Sequence, residues 1–94
     1  MKHSYSDERT ALIKALLSLE NEDECARFLE DLCTIKELDS MAQRFCVARL
    51  LKEGNTFQEI VEKTGASSAT ISRVNRCLNY GDGGYLAAIE KNNK

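Results

Sequence analysis

The chain has 94 residues, of which 43% are hydrophobic and 30% charged, with five glycines and no proline. That balance is typical of a helical globular protein and excludes a collagen-like or intrinsically disordered chain. The length fits one domain, so we expect residues 1–94 to form a single domain with a small core. Thirteen Lys and Arg against fifteen Asp and Glu give a net charge of −2, which by itself argues weakly against a nucleic-acid partner.

The charge is, however, unevenly distributed along the chain. Residues 1–33 carry four Lys or Arg against eight Asp or Glu, a net −4, whereas residues 34–94 carry nine against seven, a net +2. Local charge, rather than total charge, sets the field that a phosphate backbone would meet. The C-terminal part therefore remains compatible with a nucleic-acid partner.

No stretch approaches the roughly 20 apolar residues of a membrane span, and the N-terminus is too polar for a signal peptide. We therefore expect a cytoplasmic protein without a membrane partner. The cysteines form no C-x-x-C pair, and His3 is the only histidine, so neither a zinc site nor another cofactor is predicted. We expect small, reduced core side chains at Cys25, Cys33, Cys46 and Cys77.

Six helices are predicted, which makes the fold class all-α. The first, from about Asp7 to Leu19, is apolar over more than half of its circumference and needs covering from two sides. A second copy of the chain or a central position in the core would each provide that cover. The second helix begins after Asn21 with acids in its first turn, and its apolar residues recur at spacings of three and four. They are Cys25, Phe28, Leu29 and Leu32.

The third helix is the longest. It opens with the capping box T-I-K-E, with Thr34 as N-cap and Glu37 at the third helical position, and it ends before Gly54. Its spacing predicts inward side chains at Leu38, Met41, Ala42, Phe45, Ala48 and Leu51.

A second capping box, T-F-Q-E from Thr56, opens a short fourth helix that Gly65 ends. Its apolar face is predicted to be formed by Ile60 and Val61. The turn G-A-S follows, and either Ser67 or Ser68 caps a fifth helix that runs to about Leu78. The segment N-Y-G-D-G-G then breaks the chain before a last short helix with Tyr85, Leu86 and Ile89.

Two short helices joined by a tight turn, at about residues 56–78, predict a helix-turn-helix, whose second helix enters the DNA major groove. At about 100° per residue, Ile71, Val74 and Leu78 face the domain. The opposite face carries small side chains in its first turns and arginines later, an arrangement that suits entry into a groove. The alternative is an ordinary α-hairpin whose serines only cap and whose arginines are only solvated.

Specific contacts to double-stranded DNA follow from this geometry. Ser68, Ala69 and Ser72 are placed for base edges, and Arg73 and Arg76 for backbone phosphates. Thr70 and Gln58 are placed for phosphate or groove-side contact. The full predicted set is Gln58, Ser67, Ser68, Ala69, Thr70, Ser72, Arg73 and Arg76.

Two other classes of function compete with DNA binding. An enzyme is not predicted, because the sequence shows neither paired carboxylates, nor a Gly-rich phosphate loop, nor a nucleophile with a base at readable spacing. The main rival is a helical, dimeric protein-interaction module with a degenerate helix-turn-helix, which the acidic net charge slightly favours.

From Thr34 to Leu78 the chain resembles the Trp repressor superfamily, in particular the small Trp-repressor-like regulators of the YerC/YecD type from Gram-positive bacteria. The matching segments are L-C-T-I-K-E-L, R-L-L-K-E-G and Q-E-I-V-E-K-T-G-A-S-S-A-T-I-S-R. The resemblance implies a six-helix, intertwined homodimer whose N-terminal helices wrap the partner. It also implies a sequence-specific transcriptional repressor that binds a palindromic operator.

The resemblance further implies an effector pocket in which two arginines clamp an indole ring. Arg44 and Arg73 stand at the matching positions, as does Thr34, but Val74 replaces a family glycine and Cys77 a family serine. Because a valine adds volume where the ring would lie, we hypothesise that Val74 is a built-in filler. Tryptophan is then not expected as corepressor, and another effector stays open. Alternatively, the arginines hold only salt bridges or phosphates.

Overall fold

The computed structural model describes residues 5–92, and within them the secondary structure is entirely helical. His3 lies outside the described residues. The chain divides into two compact units, Met1–Leu38 and Asp39–Lys94, and the expectation of a single domain stays a prediction. The six helices are α1 (Asp7–Leu17), α2 (Glu22–Leu32), α3 (Ile35–Lys52), α4 (Phe57–Thr64), α5 (Ser68–Tyr80) and α6 (Gly84–Lys91).

Both predicted capping boxes are confirmed. In α3, the Thr34 hydroxyl accepts from the Glu37 backbone N–H at 3.1 Å, and the Glu37 carboxylate accepts from the Thr34 N–H at 2.8 Å. In α4, the same pair of bonds joins Thr56 and Glu59, at 3.1 Å and 2.7 Å. These bonds satisfy N–H groups that a helix start leaves without partners, so the start of each helix is set locally.

Helix ends were predicted less well than helix starts. Helix α1 ends at Leu17, two residues earlier than expected, and α5 continues to Tyr80, beyond the expected Leu78. Helix α4 ends as predicted at Gly65, whose φ of 73° lies in the left-handed region that favours glycine. The end of α5 also requires glycine for space, because a Cβ at Gly81 would overlap the Cys77 carbonyl oxygen.

The unit Asp39–Lys94 has a small core to which α3, α4, α5, α6 and the turn before α5 contribute. Partly buried apolar side chains, including Phe45, Leu78 and Tyr85, surround it. Helix α5 packs on both α4 and α6. The buried residues are Val47, Ala48, Ile60, Ala66, Ile71, Val74 and Ile89.

Several predicted core positions are wrong. Met41 and Ala42 of α3 are exposed, whereas Val47, which the predicted stripe omitted, is completely buried. The apolar residues of α3 spread around the helix, so their spacing alone does not define the buried side. Val61 is 41% exposed because it is turned by about 100° from its buried neighbour Ile60. Cys77 is exposed rather than buried.

The unit Met1–Leu38 has a different character. Helices α1 and α2 contain no buried residue. Leu12, Ile13 and Leu16 are each about 40% exposed, and Leu17 is 80% exposed. Cys25 and Cys33 are half-buried. The broad apolar face of α1 therefore remains partly exposed to solvent within one chain.

The described part of the chain contains neither a membrane-spanning helix nor a cluster of metal ligands. No helix among residues 5–92 is long and apolar enough to cross a membrane. Within the same residues, no three His, Cys, Asp or Glu side chains come together in a group that could hold a metal ion.

The pKa of the Glu59 carboxyl is held below its ordinary value, first by the hydrogen bond from the Thr56 backbone N–H and then by the Thr56 hydroxyl. Because the folded-state pKa is depressed, the stabilising effect of this carboxylate is present above the ordinary carboxyl pKa. It is lost as the pH falls through the folded-state pKa. The start of α4 should therefore weaken in acid.

Replacing Thr56 with Ala removes the hydroxyl of this capping box. We expect the free energy of unfolding to fall by about 1 kcal/mol in urea denaturation. We also expect the pKa of Glu59, followed by NMR, to rise part of the way towards its ordinary value. Thr56→Ser is the matched control, because it keeps the hydroxyl and should retain both properties. An unchanged Glu59 titration in Thr56→Ala would contradict this account.

Candidate nucleic-acid interface

Helices α4 and α5 are joined by a three-residue turn, Gly65 to Ser67. Gly65 takes the left-handed conformation that ends α4, and its N–H donates to the Val61 carbonyl at 2.9 Å. Ala66 is only 3% exposed, so the middle of the turn is anchored in the core. Ser67 then caps α5 by accepting from the Thr70 N–H at 3.1 Å, which decides between the two predicted caps. This arrangement is a helix-turn-helix.

The predicted division of α5 into two faces is confirmed. Ile71 and Val74 are buried to 1% exposure or less, and Leu78 is partly buried beside them. On the other face, the small residues of the first turns and the two later arginines are exposed to solvent. These exposed residues are Ser68, Ala69, Ser72, Arg73 and Arg76.

The start of α5 also presents backbone donors. The Ser67 side chain and carbonyl take the N–H groups of Thr70 and Ile71, at 3.1 Å and 3.0 Å. The N–H groups of Ser68 and Ala69 belong to the first helical turn, which has no intrahelical acceptors. Together with the positive end of the helix dipole, this surface is electrostatically suited to an anionic backbone.

Two of the predicted contact residues have internal roles at the cap. The Ser67 hydroxyl donates to the Thr70 hydroxyl oxygen at 3.0 Å while accepting from the Thr70 N–H. Thr70 is also half-buried, unlike its neighbours Ser68 and Ala69. The Ser67 and Thr70 side chains already stabilise the start of α5, so any contact that they make to DNA would compete with these internal hydrogen bonds.

Helix α4 contributes the remaining predicted residue. Gln58 is exposed, and its amide donates to the Glu62 carboxylate at 3.4 Å. Lys63, at the end of the same helix, donates to the Asn55 side-chain oxygen at 2.8 Å. The Lys63 ammonium is thus engaged with the loop before α4, whereas Arg73 and Arg76 extend from the exposed face of α5.

The residues of the hypothesised effector pocket have unlike surroundings. Val74 is in the core, whereas Arg73 and Cys77 are exposed on the same helix. Arg44 of α3 is half-buried and donates to the Ser40 hydroxyl at 3.3 Å, which is a neutral partner and not a carboxylate. Thr34 belongs to the other unit, where it caps α3. Effector binding by this set stays a prediction.

Sequence reasoning missed three residues that hold the turn. Gln43 of α3 donates from its side-chain amide to the Thr64 carbonyl at 3.3 Å. The Thr64 hydroxyl accepts from the Ala66 N–H at 3.1 Å. The third residue is Ala66, whose small side chain directly after Gly65 could have been identified as a turn position that packs closely. Gln43 had no sequence signal, because it lies 21 residues from its partner.

Comparison with known proteins places these features in a family. The family model for the Trp repressor protein matches residues 7–93. The uncharacterized protein YerC of Bacillus subtilis (strain 168) is 56% identical over 80 residues, which are 85% of this chain and 77% of that protein.

Two solved structures share the fold. The crystal structure of a proposed Trp repressor from Staphylococcus aureus has a TM-score of 0.91 and 42% identity, over 95% of this chain and 89% of that one. The TrpR like protein from Eubacterium eligens ATCC 27750 has a TM-score of 0.88 and 52% identity, over 92% and 89% of the two chains. The chain therefore belongs to the Trp repressor family, a family of DNA-binding regulators and not of enzymes.

Proposed function

We propose that this protein is a sequence-specific transcriptional repressor that binds an imperfect palindromic operator as a homodimer. The observation that carries the proposal is the exposed start of α5, where Ser68, Ala69 and Ser72 leave room for a close approach to base edges. Bulky side chains in the same places would hold the helix away from the groove floor. The bacterial chromosome lies in the cytoplasm, which fits the cytoplasmic location expected from the sequence.

The proposed homodimer is supported by the surface of α1. Leu12, Ile13, Leu16 and Leu17 are between 38% and 80% exposed in a single chain. Contiguous apolar surface of this kind is typical of an interaction site. A second copy of the chain would cover it and would enlarge the core of a protein whose own buried set is small.

Symmetry then determines the form of the operator. Two α5 helices related by a two-fold axis would read half-sites about one helical turn, roughly 34 Å, apart. That separation is a general property of helix-turn-helix dimers, the Trp repressor among them. Arg73 and Arg76 would contact phosphates and supply affinity, while Ser68, Ala69 and Ser72 would supply selectivity. A groove-side contact would come from Gln58 of α4.

We also propose that the protein does not use tryptophan as its corepressor. Val74 is 1% exposed and packs in the core of the unit Asp39–Lys94. An indole ring placed at this position would have to displace a buried side chain from a close-packed interior. Cys77 is also a poorer hydrogen-bonding partner for a ligand than serine, since a thiol is a weak donor.

Selection of bound sequences from a random pool of duplex DNA tests the proposed function directly. We expect an imperfect palindrome whose half-sites are centred about one helical turn apart. Sedimentation of the same preparation should show a dimer, alone and on DNA. A pool without an enriched motif would contradict the proposal and favour the protein-interaction module.

The proposed phosphate contact of Arg76 can be distinguished from the general effect of removing one positive charge. Arg76→Ala should weaken binding to selected and random DNA alike, and should lower the salt slope by about one for each phosphate that the protein no longer neutralises. Arg49→Ala is the matched control, because it removes an exposed arginine from α3 and should leave the slope nearly unchanged. A weakening confined to the selected sequence would show that Arg76 reads bases instead.

Calorimetric titration with L-tryptophan tests the filler role of Val74. We expect no binding heat from protein that, in a parallel titration, binds its selected DNA stoichiometrically. Addition of tryptophan should likewise leave the DNA affinity unchanged. Heat corresponding to micromolar affinity would show that the valine leaves room for the ligand, and the filler hypothesis would then be wrong.

A further inference from the structure

Few residues at the start of α5 are packed into the core. Between the buried residues Ala66 and Ile71, none of the four intervening residues is fully buried. The direction of the first turn therefore depends on the two buried residues on either side of it, and Ala66 is the one that precedes the helix. Ala66 is fixed by its 3% exposed methyl group and by its N–H, which donates to the Thr64 hydroxyl oxygen at 3.1 Å.

Thr64 is itself held at both of its polar groups. Its hydroxyl donates to the Ile60 carbonyl at 2.7 Å while accepting from the Ala66 N–H, so it links the last turn of α4 to the turn residue. Its carbonyl is one of the four that a helix end leaves without an intrahelical donor. The Gln43 side-chain amide supplies that donor at 3.3 Å. Both Gln43 and Thr64 are half-buried, so water is a restricted substitute.

We infer that Gln43 is a positioning residue for DNA reading, which connects α3 through Thr64 to Ala66 and so fixes the direction of the α5 N-terminus. Gln43 makes no DNA contact in this role. The inference rests on the proposed function, because a fixed direction matters only if the start of α5 reads bases.

Positioning of this kind should act on selectivity more than on general affinity. Base-edge hydrogen bonds require side chains to be held within about half an ångström, and the support for such sites comes from residues behind them. Phosphate contacts from long arginine side chains tolerate larger shifts, and they supply most non-specific binding. A loosened turn should therefore lower the affinity for the selected operator while leaving the affinity for random DNA nearly unchanged.

The test compares variants that keep or remove the hydrogen bonds linking Gln43, Thr64 and Ala66. Gln43→Met keeps the length of the side chain but removes the donor to Thr64. Thr64→Val removes the hydroxyl, and Thr64→Ser restores it as the conservative rescue. Ile89→Val serves as a stability control, because it shortens a buried side chain of α6, away from the turn, and changes neither a charge nor a hydrogen bond.

Two measurements are made on folded protein, well below the unfolding temperature of each variant. The ratio of affinities for selected and random DNA should fall about tenfold in Gln43→Met and Thr64→Val, the order of one mismatched base pair. It should stay near the wild-type value in Thr64→Ser and Ile89→Val. Hydrogen exchange at the Ala66 amide should be faster in the two impaired variants alone.

The outcomes separate the two proposals. If the wild type selects an operator and Gln43→Met keeps the same affinity ratio, the positioning role is overturned while the proposed function stands. If the ratio falls equally in Ile89→Val, the effect is general destabilisation and the role is again overturned. A wild-type protein that selects no DNA would overturn both.

Discussion

The burial of Ile71 and Val74 against the other helices of the unit Asp39–Lys94 is the constraint on which the proposed interface depends. Both side chains are exposed by 1% or less, so the rotation of α5 about its axis is fixed. A rotation by one residue would move Ser72 towards the core and expose an isoleucine, and burial of an unpaired polar group is costly. The polarity of the exposed face is therefore determined by the packing of the opposite one.

Features that depend on neighbouring residues could be predicted from the sequence. The capping boxes at Thr34 and Thr56 and the left-handed Gly65 each involve residues three or four positions apart, and all three are present. The two faces of α5 were also predictable, because three apolar residues at helical spacing define one side without ambiguity. These local signals were enough to predict the helix-turn-helix. They also predicted that most residues chosen as DNA contacts are exposed to solvent.

Features that depend on distant parts of the chain could not be predicted in the same way. The buried side of α3 was misassigned at Met41 and Val47, because its apolar residues surround the helix and only the packed neighbours select among them. The contact of Gln43 with Thr64 joins residues 21 positions apart, and a glutamine on a helix surface has no distinguishing pattern.

In the proposed function, the charge distribution makes the geometry of the turn between α4 and α5 more important for DNA recognition. Residues 1–33 carry a net −4 and residues 34–94 only +2, so general attraction to a phosphate backbone is weak. Few cations extend from α5, and Lys63 of α4 is engaged with Asn55. In the proposed function, the contribution of phosphate contacts to the affinity would be small, and short side chains at the start of α5 would supply the discrimination between DNA sequences. Because short side chains would reach only the bases directly in front of them, the proposed mechanism needs both the exposed start of α5 and the hydrogen bonds that hold the turn before it.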